Sequence, residues 1–358
     1  MTPSLSDAID ILTRLVETPS FSKEEAATAS LLADVLEREG CVVERIGNNV
    51  IARHHCNNAD APWMVLNSHH DTVRPGGGWH TDPHAAVNDG TRITGLGVND
   101  AGGALVTMLM TFLALRSSTA WNHHVMFVGS CEEEISGTGG IDRLVREGVF
   151  DGVAVACVGE PTGMKMAIAE RGLLVLDCTA HGRTGHAARN EGVNAIDIAV
   201  DDIAWFRSKP FARTSEVLGG VQMTVTQIQA GQQHNVVPDE CRFVVDVRVP
   251  DVYTHEEVLT TVRAQVASTV EPRSTRLRSS AINANHPLVQ AGRRLGMESY
   301  GSPTMSDMAL MPPIAKLKIG PGDSARSHTP NEWLGLDELQ NGLEQMSRLT
   351  REFLGTTQ

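Results

Sequence analysis

Four apolar stretches of the sequence each lead into polar residues that can bind a cation, and this recurring arrangement narrows the possible folds sharply. The stretches have the length and β-branched content of buried strands, and helical patterns lie between them. A mostly parallel sheet with helices on both faces is therefore expected. The stretches are residues 63–66 before His69, 124–130 before Glu132, 153–158 before Glu160, and 315–319 before a Gly-Pro-Gly-Asp turn.

The polar residues after these stretches are expected to meet, because ligands of such sheets bind beyond the carboxyl ends of the strands. In an extended segment alternate side chains share a face, so His69 and Asp71 would point one way and His70 the other. The residues that fall beyond the strand ends, or on the last loop, are His69, Asp71, Glu133, Glu134, Glu160 and His328.

Nitrogen and oxygen donors without cysteine suit zinc, and they tolerate cobalt or manganese. There are more carboxylates than one zinc ion uses, which indicates a site for two metals. Two nearby cations lower the pKa of a water molecule, and a free glutamate can pass its proton to a leaving amine. Metal-assisted hydrolysis of an amide is therefore the predicted reaction.

The glycine-rich run at residues 95–103 imitates a dinucleotide-binding fingerprint. It fails as one because Asp100 stands where the third glycine is needed, and an acid there would repel a pyrophosphate. Taken alone, Asp100 could simply cap the apolar helix that follows, up to residue 115. That helix is too short to span a bilayer and is expected to be buried.

The order of strand-like and helical patterns is different in the middle of the chain. Strand-like and helical patterns follow the order β-α-β-β-α-β between residues 173 and 282, the order of a ferredoxin-like domain. This domain would interrupt the larger one, giving a discontinuous catalytic domain of residues 1–167 plus 283–358 and an inserted domain of residues 168–282.

Composition limits the partners. The net charge of −13 argues against nucleic acid or an anionic membrane as the main partner. The six cysteines are scattered, without a Cys-x-x-Cys pair, and are expected to be reduced thiols in a cytoplasmic protein. No signal peptide is recognised at the N-terminus.

Seven motifs, in this order, resemble the zinc-dependent family that includes acetylornithine deacetylase, succinyl-diaminopimelate desuccinylase, aminoacylase and glutamate carboxypeptidase. The resemblance covers almost the whole chain. The motifs are His69-His70-Asp71, Gly97-Val98-Asn99-Asp100, Glu133-Glu134 with Gly139, Gly159-Glu160-Pro161-Thr162, Gly185-His186-Ala187, Asn235-Val236-Val237-Pro238 and His328-Thr329-Pro330-Asn331-Glu332.

The resemblance implies a role for each matching residue. Asp100 would bridge two zinc ions, with His69 and Glu160 completing one site and Glu134 and His328 the other. Asp71 would orient His69, and Glu133 would be the general base.

The remaining implied roles belong to the inserted domain, which would act as a lid and hold a homodimer together. His186 would reach the site of a partner subunit to stabilise the oxyanion. Asn235 and Arg248 would bind the substrate, Arg248 by a bidentate contact with a carboxylate.

Several alternatives stay open from the residues alone. The base and the ligand could shift by one residue, to Glu132 and Glu133. Arg248 could be an ordinary salt-bridge partner. Ser306-Asp307 is expected only to shape the pocket wall, and Ser22-x-x-Glu25 to form a capping box. Gly102 stands where many relatives carry a lysine, which removes a positive charge near the metals.

The leading prediction is the deacylation of an N-acyl-L-amino acid, specifically of acetylornithine in arginine biosynthesis. Acetylcitrulline, succinylornithine and succinyl-diaminopimelate are alternative substrates. A di- or tripeptidase is a second enzymatic reading. A non-catalytic binding protein would require the loss of Glu133 or of a ligand, and the sequence retains them all.

Overall fold

A computed structural model describes residues 4–189, 191–208 and 211–355. The helices are α1 (Leu5–Val16), α2 (Ala26–Arg38), α3 (Gly103–Leu115), α4 (Ile141–Arg146), α5 (Ala195–Arg207), α6 (His255–Gln265), α7 (Pro287–Arg294) and α8 (Leu336–Leu354). The strands are β1 (Val43–Ile46), β2 (Asn49–His54), β3 (Trp63–His69), β4 (Val87–Asn88), β5 (Arg92–Thr94), β6 (His124–Ser130), β7 (Val153–Gly159), β8 (Met166–Glu170), β9 (Gly172–His181), β10 (Gly185–His186), β11 (Gln222–Ala230), β12 (Val236–Val237), β13 (Glu240–Val249), β14 (Thr269–Pro272), β15 (Ser280–Ala281), β16 (Ser299–Ser302), β17 (Ala315–Lys318) and β18 (Trp333–Gly335).

The chain divides into two compact units. The first unit comprises residues 1–168, 281–300 and 306–358, and the second unit comprises residues 169–280 and 301–305. The boundaries at residues 168/169 and 280/281 differ by one and two residues from the expected boundaries at 167/168 and 282/283. The short 301–305 segment was not expected in the second unit.

A mixed sheet organises the first unit. Its strands run in the order β1-β2-β6-β3-β7-β17-β8-β15, with β16 beside β8. The four strands β6, β3, β7 and β17 are mutually parallel, whereas β1, β2 and β8 are antiparallel to their neighbours. The predicted α/β class, with a mostly parallel central sheet, is confirmed.

Both faces of this sheet are covered, which explains why its central strands are apolar along their whole length. One face packs against α1, α2, α3 and α8, and the other against α4 and the segment around Met308 and Met311. Leu66 and Phe127 belong to the first core, Val65 and Val128 to the second, and all four are fully buried. Side chains of this kind contribute about 1.5–3 kcal/mol each to stability.

Helix α3 lies at the centre of the first core. The stretch Val98–Leu115 that contains it is long and apolar enough for a membrane span, but 89% of it is buried inside the protein. This burial agrees with the expectation of a core helix.

The second unit contains an antiparallel sheet in the order β11-β13-β9-β14, with α5 and α6 on one face. Its alternate residues are buried, as Phe243, Val245 and Val247 of β13 illustrate. Numbered from the start of this unit, the sheet order is 2-3-1-4, and the chain order is β-α-β-β-α-β. Both are those of the ferredoxin-like fold predicted from the sequence.

Candidate metal centre

Three neighbouring parallel strands end level with one another in the first unit, and this brings distant parts of the chain together. His69, the last residue of β3, pairs with Ser130 at the end of β6. On the other side of β3, Ser68 pairs with Gly159, which directly precedes Glu160. The turns that follow these strands therefore begin at one edge of the sheet, where the sequence predicted the site.

Asp100 lies between two histidines and presents one carboxylate oxygen to each. Its Oδ1 is 3.3 Å from Nε2 of His69, and its Oδ2 is 3.6 Å from Nε2 of His328. His328 Nε2 also lies 2.8 Å from Oε2 of Glu134. Asp100 thus joins two groups of side chains, which is the arrangement that a bridging carboxylate requires.

Two sets of three donor atoms share His69, and the atoms of each set lie within 4.8 Å of one another. One set is His69, Asp100 and Glu134, and the other is His69, Glu133 and Glu160. Glu132 belongs to neither set, and its carboxylate accepts the backbone N–H of Gly139 at 3.2 Å.

Asp71 is almost completely buried and connects two parts of the centre. Its carboxylate accepts the backbone N–H groups of Glu133, at 3.0 Å, and of Glu134, at 3.2 Å. Its backbone carbonyl lies 3.0 Å from Nδ1 of His69. Because a carbonyl can only accept, Nδ1 carries a proton, and Nε2, which faces Asp100, is the ring nitrogen that could bind a metal ion.

Ser22 completes the surroundings of Asp71 and corrects a prediction. Its hydroxyl donates to Asp71 Oδ2 at 2.7 Å, so Ser22 does not cap a helix. Helix α2 instead begins after Glu25, which makes no side-chain cap. The Glu25 carboxylate is buried and accepts the backbone N–H of Lys23 and the side-chain amide of Asn48.

Glu332, which lies on the C-terminal side of His328, holds the turn that carries Asp100. Its buried carboxylate accepts the backbone N–H groups of Gly97, Asn99 and Asp100 at 3.2, 2.8 and 2.9 Å. This role of Glu332 is not predictable from the sequence, because its partners are backbone groups more than 230 positions away.

A further buried acid stands behind the cluster. Asp307 accepts the hydroxyl of Ser130 at 2.5 Å, and Ser130 in turn accepts the side-chain amide of Asn67 at 2.9 Å. Burial raises the pKa of Asp307 to about 6. The expectation that Asp307 only shapes a pocket wall missed this contact with the end of β6.

The pKa shifts report a concentration of negative charge. Burial raises the pKa of Glu160 to about 8, with a further contribution from the charge of Asp100. Burial also raises the pKa of Glu133 well above its ordinary value. The hydrogen bond between His328 and Glu134 raises the pKa of His328 to about 9. Burial alone would lower the pKa of His69, but hydrogen bonds to Asp100 and Asp71 raise it well above its usual value.

These observations fit a centre for divalent cations. Buried carboxylates that face one another are stable only when protons or cations balance their charge, and metal binding displaces the protons. The donors are imidazole nitrogens and carboxylate oxygens, a set that suits zinc, cobalt or manganese. The residues that could hold two such ions are His69, Asp100, Glu134, Glu160 and His328.

The other histidine of the predicted strand end, His70, is buried outside this cluster. Its ring nitrogens lie 2.9 Å from Oγ1 of Thr28 and 2.9 Å from the carbonyl of Asn48. Both nitrogens are thereby occupied, so His70 has a structural role.

The three predicted residues of the inserted domain lie in the second unit. His186 is on β10 and pairs with Val236 of β12, and the Asn235 carbonyl accepts the N–H of Ala187 at 3.1 Å. Arg248 forms a two-pronged ion pair with Asp246, at 2.8 and 3.1 Å. Within the second unit, Arg248 therefore forms a salt bridge, which is the alternative that the sequence left open.

Residues 65–352 match the family described as peptidase family M20/M25/M40. The chain belongs to this family. The resemblance recognised in the motifs is thereby confirmed, and the chain is a metal-dependent amide hydrolase.

Relatives and solved structures agree with this assignment. The chain is 29% identical to a LysW-lysine hydrolase from Deinococcus radiodurans, over 98% of both chains. It is 26% identical to a putative succinyl-diaminopimelate desuccinylase from Mycobacterium tuberculosis, again over 98% of both. An aminopeptidase structure from Bacillus cereus has a TM-score of 0.78 at 19% identity, covering 99% of this chain and 100% of that one. A dinuclear metal-binding peptidase from Bacillus subtilis has a TM-score of 0.73 at 19% identity, covering 99% of both chains.

Proposed function

We propose that this M20-family hydrolase uses two zinc ions to cleave the amide bond of an N-acylated amino acid. The position of Asp100, with one oxygen toward His69 and the other toward His328, carries the proposal. His69 and Glu160 would complete the binding of one ion, and Glu134 and His328 that of the other. The ions, when bound, polarise the scissile carbonyl and lower the pKa of the attacking water.

The proposed reaction needs one group that accepts a proton and later returns it. Glu133 is within the cluster but is not needed as a ligand, and its raised pKa makes it a stronger base than an exposed glutamate. It takes a proton from water as the water oxygen bonds to the carbonyl carbon. When the carbon–nitrogen bond breaks, Glu133 gives the proton to the departing amine, so that protons balance over the cycle.

Asp71 would act through other residues. It holds His69 from one side and the Glu133–Glu134 backbone from the other, so it fixes the base relative to a ligand. His186 and Asn235 are proposed as oxyanion-stabilising and substrate-binding residues on the family resemblance. Arg248 is proposed to contact a substrate carboxylate, which would require it to leave or share its pairing with Asp246.

The names of the relatives narrow the substrate. Lysine, ornithine and diaminopimelate appear in names such as LysW-lysine hydrolase, LysW-lysine/LysW-ornithine hydrolase and succinyl-diaminopimelate desuccinylase. Each of these amino acids carries two amino groups. We therefore propose an acylated diamino acid as substrate, and acetylornithine, the prediction from the sequence, is one member of this class.

A substrate panel tests the proposal. Acetyl- and succinyl-blocked ornithine, lysine and diaminopimelate should be hydrolysed with kcat/KM at least about tenfold above acetylnorleucine, which lacks the second amine. Unblocked di- and tripeptides belong in the same panel. A chelator should abolish the activity, and zinc or cobalt should restore it. Turnover of free peptides alone would instead support the peptidase reading, and metal binding without any turnover would support a binding protein.

A homodimer through the second unit is part of the proposal. Strand β11 lies at the edge of its sheet, and such an edge offers unpaired backbone groups to another strand. Apolar side chains are exposed near this edge: Ile228 of β11 is 56% exposed, and Val200 of the adjoining α5 is 54% exposed. Two copies could cover both features at once.

Val200→Glu should therefore weaken the dimer by at least about a hundredfold, because a charge would be buried against an apolar surface. Light scattering coupled to gel filtration measures the mass at a series of concentrations. Val42→Glu is the matched control, since Val42 is 88% exposed in the first unit. A wild-type chain that is monomeric throughout, or a Val200→Glu variant that stays dimeric, would contradict this interface.

Location in the cytoplasm is proposed on the cysteines. All six are free thiols, and five of them are buried.

A further inference from the structure

His328 differs from the other candidate ligands in how it is supported. Its side chain is 53% exposed, whereas those of His69, Asp100 and Glu134 are 1%, 12% and 6% exposed. It also lies on a loop, with a φ of +59°, a left-handed conformation that non-glycine residues adopt at a cost. A ligand in this situation needs neighbouring contacts to hold it in place.

Asn331, three residues further on, provides such contacts with both ends of its side-chain amide. Its Oδ1 accepts the backbone N–H of His80 at 2.8 Å. Its Nδ2 donates to the carbonyl of Gly78 at 3.2 Å. Asn331 has a φ of +60°, and asparagine is among the few residues that tolerate this region.

The loop that contains Gly78 packs closely against the turn that carries His328 and Asn331. A Cβ on Gly78 would lie 3.4 Å from Cγ of Pro330, the residue between the His328 turn and Asn331. Gly78 itself has a φ of +95°, which favours glycine. The segment from Gly78 to His80 is therefore bonded through Asn331 and packed against Pro330.

The two ends of the loop that carries His328 are held by other residues. Arg326 forms a two-pronged ion pair with Glu338, and Glu332 is fixed by the three backbone N–H groups of the Asp100 turn. Between these two fixed points, Thr329 bonds locally to the Arg326 carbonyl. Asn331 instead reaches a segment about 250 positions away, and so it ties the exposed part of the loop to the rest of the unit.

We propose that Asn331 is a positioning residue that holds His328 in its metal-binding place by clamping the Gly78–His80 segment against the His328 loop. The inference rests on the proposed role of His328 as a ligand. The expected consequence is selective. Loss of the Asn331 side chain lowers the affinity for the ion bound by Glu134 and His328, whereas the affinity for the ion bound by His69 and Glu160 is unchanged.

Asn331→Gly is the sharpest test, because glycine adopts a φ of +60° freely and the change removes only the side-chain bonds. Metal-free protein is titrated with Zn²⁺ in competition with a coloured chelator, which resolves the two dissociation constants. The wild type should bind two ions. In the variant, one of the two dissociation constants should rise by about 10- to 100-fold, as is usual when a residue that orients a ligand is lost. The other should change less than about twofold.

His80→Ala is the matched control, since His80 contributes its backbone N–H and not its ring. It should bind both ions as the wild type does. The melting temperature of metal-free Asn331→Gly should lie only a few degrees below that of the metal-free wild type, because two hydrogen bonds are lost. The metal-loaded forms should differ by more, because the variant also binds one ion less tightly.

Equal affinity for both ions in Asn331→Gly and the wild type would overturn the inference. An equal loss at both sites would do so too, as would a difference in melting temperature that is no larger with metal than without it. Failure of the proposed function looks different. In that case the wild type itself would bind fewer than two ions.

Discussion

Replacing Glu133 with glutamine is expected to lower kcat about a thousandfold, with both metal ions retained. Glutamine keeps the size of the side chain but cannot accept a proton, and general-base catalysis accounts for about 10²- to 10⁴-fold of such rates. The five proposed ligands are unchanged, and the Asp71 carboxylate still binds the backbone of residues 133 and 134. Steady-state kinetics on the best substrate of the panel, together with metal analysis, provide the measurement.

Glu132→Gln is the natural control for this experiment. Its side chain bonds to the N–H of Gly139, and an amide oxygen can accept the same bond. Activity within about twofold of the wild type is therefore expected. The opposite pattern, with Glu132→Gln inactive and Glu133→Gln active, would shift the base by one residue.

Replacing Asp100 with asparagine is expected to have the largest effect on metal content. A carboxylate offers an oxygen to each histidine, whereas an asparagine offers one oxygen and one N–H₂ group, which repels a cation. Binding of two ions should fall to one or none, and amide hydrolysis should drop below detection. Metal analysis after gel filtration and titration of the metal-free protein measure this change.

Asp323→Asn is a suitable comparison for Asp100→Asn. Asp323 lies in the loop that bonds to Asn99 through its backbone, and its side chain caps the N–H of Ala325, which asparagine can also do. The variant should keep both ions. Retention of two ions by Asp100→Asn would remove the basis of the bridging assignment.

Much of the first unit could be predicted because its central strands carry two signals in the sequence. Their apolar stretches have the composition of buried strands. Acidic or histidine residues follow the strand ends, and burying such residues is costly unless a partner or a cation balances their charge. Asp100 illustrates the limit of this reasoning. Taken alone it resembles a helix cap, and only the structure shows its two oxygens facing His69 and His328.

The residues that support the site were harder to find. Glu332, Asp71 and Asn331 act on backbone N–H groups, which every residue except proline possesses, so their partners leave no trace in the sequence. For Ser22, the Ser-x-x-Glu pattern predicts a capping box at a helix start. Its hydroxyl instead bonds to a buried carboxylate 49 positions away, and a tertiary contact of this kind outweighs a local preference.

The substrate-binding residues show a different limit. The resemblance predicts that Asn235 and Arg248 bind the substrate, and the sequence also allows Arg248 to be a salt-bridge partner, but it does not identify Asp246 as that partner. A strand that alternates polar and apolar residues predicts which side chains share a face. It does not predict which charged neighbour on that face will form an ion pair.

The order of the proposed ligands along the chain has a consequence for biosynthesis. His69, Asp100, Glu134 and Glu160 are all translated by residue 160, whereas His328 follows 168 positions later and Glu332 later still. A nascent chain therefore carries four of the five ligands while the Asp100 turn still lacks the acid that shapes it. Loading with both ions must wait until residue 328 has been translated, and a product truncated before that residue would be unable to complete the pair.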